Sequence, residues 1–180
     1  MGEFYSVESL RERSTVPESR VIVVLGTSHR VQGSPSYPKL EDPGYAENIK
    51  RIILEKSVDF IFEEASGRGR TIAARLADAL KTIGYMDVDP SPELAYKFGI
   101  VNAADNPFPN EISPEEKVEE DIQREELWSK RIAEQDFKSG LIICGYLHTL
   151  SITFRLRALG FRATFDQYLP HDLLCSHGKL

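Results

Sequence analysis

The chain is short of several features that would decide its class outright. Only two of its 180 residues are cysteine, Cys144 and Cys175, too far apart in sequence to form a Cys-x-x-Cys pair. This excludes a disulfide framework or a zinc module and fits a reducing compartment. No apolar run approaches the roughly 20 residues of a membrane helix, and residues 1–18 mix charged and polar side chains around no apolar core. Neither a membrane segment nor a secretory signal is therefore expected, and the expected location is the cytoplasm. Positive charge is also scarce: 22 Lys and Arg face 28 Asp and Glu, for a net charge of −6. Proteins that neutralise many phosphates need the reverse balance, so nucleic acid is not an expected partner.

What is present suffices for one folded domain. The length is that of one ordinary domain, and 41% hydrophobic residues can supply a core without help from a metal or a disulfide. Val21-Ile22-Val23-Val24-Leu25, closed by Gly26, and Leu141-Ile142-Ile143-Cys144, closed by Gly145, are continuous apolar runs of the kind buried on both faces of a parallel sheet. A further strand is expected over 58–62, a short one near 85–88 and a last one over 161–165. Tyr45, Ile49, Ile52 and Ile53 share one face of a helix, as do Ile72, Leu76, Leu80 and Ile83, with Gly84 as the stop.

Ser113-Pro114-Glu115-Glu116 supplies a helix start, and that helix is expected to run to about Lys138, where Gly140 closes it. A last helix is expected over 149–159, stopped by Gly160. Residues 30–44 read as a long loop able to act as a lid, and 87–114, with five of the ten prolines, as a connector with one helical stretch around 93–98. The alternation of strands and helices predicts a single α/β domain over 20–168, with a mostly parallel central sheet flanked by helices. A polar extension at 1–19 and a loose tail at 169–180, carrying His171, Cys175 and His177, lie outside it.

The two most apolar runs end alike, in Gly26-Thr27-Ser28-His29 and Gly145-Tyr146-Leu147-His148. With 12 Gly and 4 His, about 0.3 chance occurrences of Gly-x-x-His are expected, so two copies, both directly after a buried strand, constitute a motif. Residues just beyond the carboxyl ends of strands are where open α/β sheets hold ligands. Gly26 and Gly145 would leave room for one, and on neighbouring strands about 4.8 Å apart the two imidazoles can converge on one atom or one water. His148 also precedes a helix, whose positive end favours the neutral ring that a base or metal ligand must be. The 58–62 strand leads into Glu63 and Glu64, of which only one can point into such a site. Arg124 and Trp128 share a helix face, which suits an Arg held by an aromatic for binding a carboxylate or developing oxyanion.

These residues resemble a superfamily that includes TraB/PrgY proteins, TIKI proteases, ChaN and erythromycin esterases. The likeness rests on the paired Gly-x-x-His motifs, on Asp59-Phe60-Ile61-Phe62-Glu63-Glu64, and on Arg124-Glu125-Glu126-Leu127-Trp128 ahead of the second motif. It implies an α/β fold of two related halves, each with a strand-Gly-x-x-His unit, and hydrolysis at a site between them. In the TraB branch the glutamate lies five residues after the strand's Asp, which favours Glu64. Some branches resemble metal-dependent proteases and others a metal-free His base, so the likeness implies either no cofactor or a divalent ion (Mn, Co or Zn) on His29, His148 and Glu64.

The resulting expectation is a small hydrolase of an ester, lactone or amide, in a small molecule or peptide. His29 and His148 would activate water, Glu64 or Glu63 would orient a ring or share the proton, and Arg124 would stabilise the substrate oxygen. Gly26, Gly145, Tyr146 and Trp128 would line the substrate. Each residue has a plainer competing reading: turn histidines, glutamates that cap a helix or pair with Arg68 or Arg70, a core Trp128, and Arg124 within a solvated run of seven acidic residues over 115–126. Gly67-Arg68-Gly69-Arg70 is Gly-rich and basic but lacks the Lys-Ser/Thr ending of a phosphate loop. The alternatives in function are a non-catalytic small-molecule-binding or regulatory protein that retains the pocket, and an interaction module docking through the acidic helix. A homo-oligomer is compatible with either.

Overall fold

The computed structural model describes residues 20–32, 42–65, 70–90 and 113–169. Strand β1 (Val21–Thr27) is followed by the short helix α1 (His29–Gln32), α2 (Pro43–Lys56), β2 (Phe60–Glu63), α3 (Ile72–Leu80) and β3 (Gly84–Asp87). Then come α4 (Pro114–Ala133), β4 (Ser139–Gly145), a 3-10 turn (Tyr146–His148), α5 (Thr149–Ala158) and β5 (Arg162–Tyr168). The strands form one five-stranded sheet in the order β3-β2-β4-β1-β5, with every neighbouring pair parallel. The expected α/β architecture with a central parallel sheet is therefore present.

Alternation along the strands divides the core into two layers. Val23, Leu25, Ile61, Leu141 and Ile143 face Tyr45, Ile49, Ile52 and Ile53 of α2 and Ala73 and Ala77 of α3. Ile22, Val24, Phe62, Ile142 and Cys144 face Trp128 and Ile132 of α4 and Ile152 and Leu156 of α5. The chain thus leaves β1 toward one layer and leaves its neighbour β4 toward the other. Such divergence opens a crevice beyond the carboxyl ends of the two strands, and open α/β sheets bind ligands there.

Several boundaries differ from those expected, each for a packing reason. Helix α3 ends at Leu80 because Lys81 takes the left-handed conformation, φ 54°, and donates its N–H to the Ala77 carbonyl. Gly84 is therefore not the stop; it opens β3 where the Phe60 ring presses against its backbone. The buried positions of α3 are Ala73 and Ala77, small enough for close approach, while Leu80 is exposed. Helix α4 ends at Ala133, not near Lys138, because Phe137 turns into the core against Phe62 and Phe161. The Asp59 carboxylate then accepts the N–H groups of Lys138 and Ser139, so Gly140 lies within β4 and does not close a helix. Asp59 is thereby used to anchor β4, and β2 starts one residue later, at Phe60.

The loop expected over 30–44 is helical at its start, through Gln32, and helical again from Pro43. The lid reading, the helical stretch near 93–98, the Gly67-Arg68-Gly69 segment and the terminal segments 1–19 and 170–180 lie outside the described residues. Gly160, at φ 93°, does end the last helical turn before β5.

Gly26 is required by contact with the helix layer. A β-carbon there would collide with the Thr149 hydroxyl at the start of α5. Gly26→Ala is expected to cost about 1–3 kcal/mol by overpacking, and to cost clearly less in a Thr149→Ala background. Urea unfolding of the four proteins of this cycle measures both; equal costs in the two backgrounds would contradict the contact.

Candidate active site

The two Gly-x-x-His motifs are not quite equivalent. In the β1–β4 register Gly26 pairs with Cys144 and Thr27 with Gly145, so the motifs are displaced by one residue and their glycines face opposite sides of the sheet. Gly26 makes room for Thr149, not for a ligand. Gly145 does open onto the site: a β-carbon on it would lie 3.1 Å from His29 Nε2, 3.4 Å from Glu64 Oε2 and 3.5 Å from His148 Cδ2. Despite the displacement the rings converge, since α1 and the 3-10 turn carry the two histidines back over β4.

Glu64 is the meeting point. His29 Nε2 lies 3.6 Å and His148 Nε2 3.8 Å from its Oε1. Its Oε2 accepts the Gly145 N–H at 2.7 Å, and Oε1 accepts from Arg124 at 2.7 Å. Glu63 points to the other layer, where it is fully buried and accepts hydroxyl hydrogen bonds from Thr71 and Tyr85. The structure therefore places Glu64, and not Glu63, with the histidines.

Arg124 reaches Glu64 from α4 while also binding Asp89, through Nε at 3.2 Å and a terminal nitrogen at 2.8 Å. Burial alone would lower its pKa, but Asp89 and Glu64 more than offset that and the net direction is up, so the guanidinium stays charged. Asp89, just past β3, also accepts the Trp128 indole N–H at 2.9 Å, and its backbone carbonyl is held by Arg131. Trp128 is fully buried, so it does not line the substrate as expected; its ring lies under the Arg124 guanidinium and edge-on to His148. Tyr146 is half exposed on the 3-10 turn.

Each imidazole is held from behind. His29 Nδ1 bonds Gln32 Oε1 at 2.9 Å, one turn on in α1. His148 Nδ1 bonds Glu125 Oε1 at 2.9 Å. An Nδ1–H that donates to an oxygen leaves Nε2 as the acceptor of the neutral ring, and both Nε2 atoms face Glu64. Burial pulls the His148 pKa down, but the Glu125 hydrogen bond and the Glu64 charge prevail and raise it above 6.5. The start of α5 was expected to keep this ring neutral; the carboxylates around it outweigh the helix end.

Comparison with protein-family models, with curated proteins and with solved structures returned no match. The chemistry of the cleft therefore rests on its own residues. A resident divalent ion fits them poorly as they stand. The one carboxylate oxygen shared by both rings already accepts from a guanidinium, whose charge repels a cation, and among the described residues no three His, Cys, Asp or Glu side chains are arranged to hold an ion. Two imidazole acceptors beside an anchored carboxylate suit a water molecule better.

Sequence reasoning did not single out Gln32, Asp89 or Glu125. Glu125 was included in an acidic run read as a solvated face, yet it is 4% exposed. Its signal was its position beside Arg124 and three residues before Trp128, within a single turn of α4. Asp89 was hidden in a proline-rich connector.

Glu63 yields a stability prediction. Burial, only partly countered by Thr71 and Tyr85, raises its pKa from 4.5 to about 7. Because the folded state holds this proton more tightly than the unfolded chain, its contribution is full below about pH 4.5 and is lost as pH rises through about 7. Glu63→Gln should remove this slope, by about 3 kcal/mol at most, and gain on the parent at pH 8 relative to pH 5. Urea midpoints at the two pH values test it; an unchanged difference between variant and parent would contradict the assignment.

Proposed function

We propose that the chain is a small hydrolase in which His29 and His148 hold and deprotonate a water molecule over Glu64, for attack on the carbonyl carbon of an ester, lactone or amide. The observation that carries the reading is the pair of Nε2 atoms facing one Glu64 oxygen from two different strand ends, each ring with Nδ1 already bonded. One Nε2 takes the water proton as oxygen bonds carbon, the carbonyl oxygen becomes an oxyanion, and the departing oxygen or nitrogen leaves with that proton. Arg124 holds Glu64 in place and supplies the positive charge nearest the cleft.

The likeness to the TraB/TIKI/erythromycin esterase superfamily, with its two related halves, supports this class of reaction. The substrate would be a small molecule or peptide, and a divalent ion would have to displace Arg124 from Glu64 to join the site. No helix among the described residues is long and apolar enough to cross a membrane, and a cytoplasmic location, with or without a homo-oligomer, suits the proposal. One observation favours a second reading, a cleft that binds a small molecule without turning it over: Arg124 already pairs with Asp89 and Glu64, which leaves less of its charge for a developing oxyanion.

A panel of esters, lactones and amides tests the reading. On any substrate turned over, His29→Ala and His148→Ala should each reduce kcat by about 10²–10⁴-fold while the folded state persists by circular dichroism. Full turnover in both variants would refute the assignment, and tight binding without turnover by the parent would establish the second reading. Elemental analysis of the parent and the two variants decides the ion: metal retained by the parent alone would place one between the rings.

The pH dependence has a definite sign. A protonated ring cannot accept a proton, and His148 is raised above 6.5, so the rate should fall on the acid side with a midpoint above that value. A rate constant from pH 5.5 to 8 would contradict a histidine base.

A further inference from the structure

The two histidines differ in what stands behind them. His29 is backed by the amide of Gln32 on its own short helix, whereas His148 is backed by a carboxylate from a different element, Glu125 of α4. Glu125 is nearly fully buried, and among the described residues the hydrogen bonds to its carboxylate come from α5 and the turn before it. Its Oε1 accepts from His148 Nδ1 and, at 2.6 Å, from the Ser151 hydroxyl; its Oε2 accepts from Arg155 Nε at 3.2 Å. The Ser151 oxygen also lies 3.1 Å from the His148 carbonyl, an alternative acceptor for its single hydrogen. Trp128 meets the imidazole edge-on at 5.1 Å.

We propose that Glu125 is the positioning residue of the site: it fixes His148 as the tautomer with hydrogen on Nδ1 and turns Nε2 toward Glu64. A carboxylate can only accept, so it imposes this tautomer, and an anion behind the ring also stabilises the imidazolium formed when Nε2 takes a proton. Gln32 imposes no such charge on His29. With the Glu125 anion behind it, His148 is assigned as the proton acceptor and His29 as the ring that orients the water. This division rests on the hydrolytic reading; the tautomer assignment does not. The groups facing His148 are Glu125, Asp121 and Arg124 from α4 and Glu64 after β2, and Arg155 of α5 faces Glu125.

Side-chain ¹⁵N shifts of the full chain at pH 9, without substrate, test the assignment. The parent should show His148 protonated on Nδ1. Glu125→Gln should keep that tautomer, since an amide oxygen still accepts, whereas Glu125→Ala should shift the population toward hydrogen on Nε2. A parent ring protonated on Nε2 overturns the proposal even if Glu125→Ala fails to fold, and so does a folded Glu125→Ala with an unchanged ring. Once a substrate is found, Glu125→Ala should lower kcat by about 10- to 100-fold with KM little changed, and Glu125→Gln should fall between it and the parent. An Nδ1–H tautomer in a protein without turnover would retire the hydrolase and leave the positioning role standing.

Discussion

A buried carboxylate must find donors or give up its charge, and Glu64 finds donors on both oxygens. The Gly145 N–H holds one and the Arg124 guanidinium the other. These two bonds come from different elements, the end of β4 and the middle of α4, so the carboxylate pins the helix layer to the sheet edge at the point where the histidines meet. Arg124 is itself fixed by Asp89, and Asp89 by Trp128. The cleft is thus the end of a chain of charge-assisted bonds reaching from β3 to β4, not a chance meeting of polar side chains.

Strand order makes that chain of bonds possible. Inserting β4 between β2 and β1 sets the ends of three strands side by side, and the chain leaves β1 and β4 toward opposite layers. His29, Glu64 and His148 follow those three strands, although they are far apart in sequence. The absence of a side chain at Gly145 keeps the space between them open, since any β-carbon would lie against both rings and the carboxylate.

Much of this was legible in the residues. The apolar runs of β1 and β4, the face of α2 and the two motifs follow from patterning alone, because each is a local consequence of burial. What patterning did not resolve was register. The displacement of Gly26 against Gly145 depends on how β1 and β4 align, and nothing within either run specifies it. The choice between Glu63 and Glu64 turned on which face each takes, and the pairing of Glu63 with Ile143 sets it toward the layer of α2 and α3. Glu125 was obscured because an acidic helix looks solvated all round until the packing of α5 against it is known. Trp128 sits in the core, and its contribution reaches the cleft only through the groups it supports.

The whole site depends on both rings sharing Glu64. The most direct measurement is the imidazole ¹⁵N and ¹H resonances of His29 and His148 in the parent and in Glu64→Gln, assigned with the single His→Ala variants. The shared carboxylate predicts that removing one charge moves the signals of both histidines. A folded Glu64→Gln protein in which only one ring responds, or neither, would contradict it.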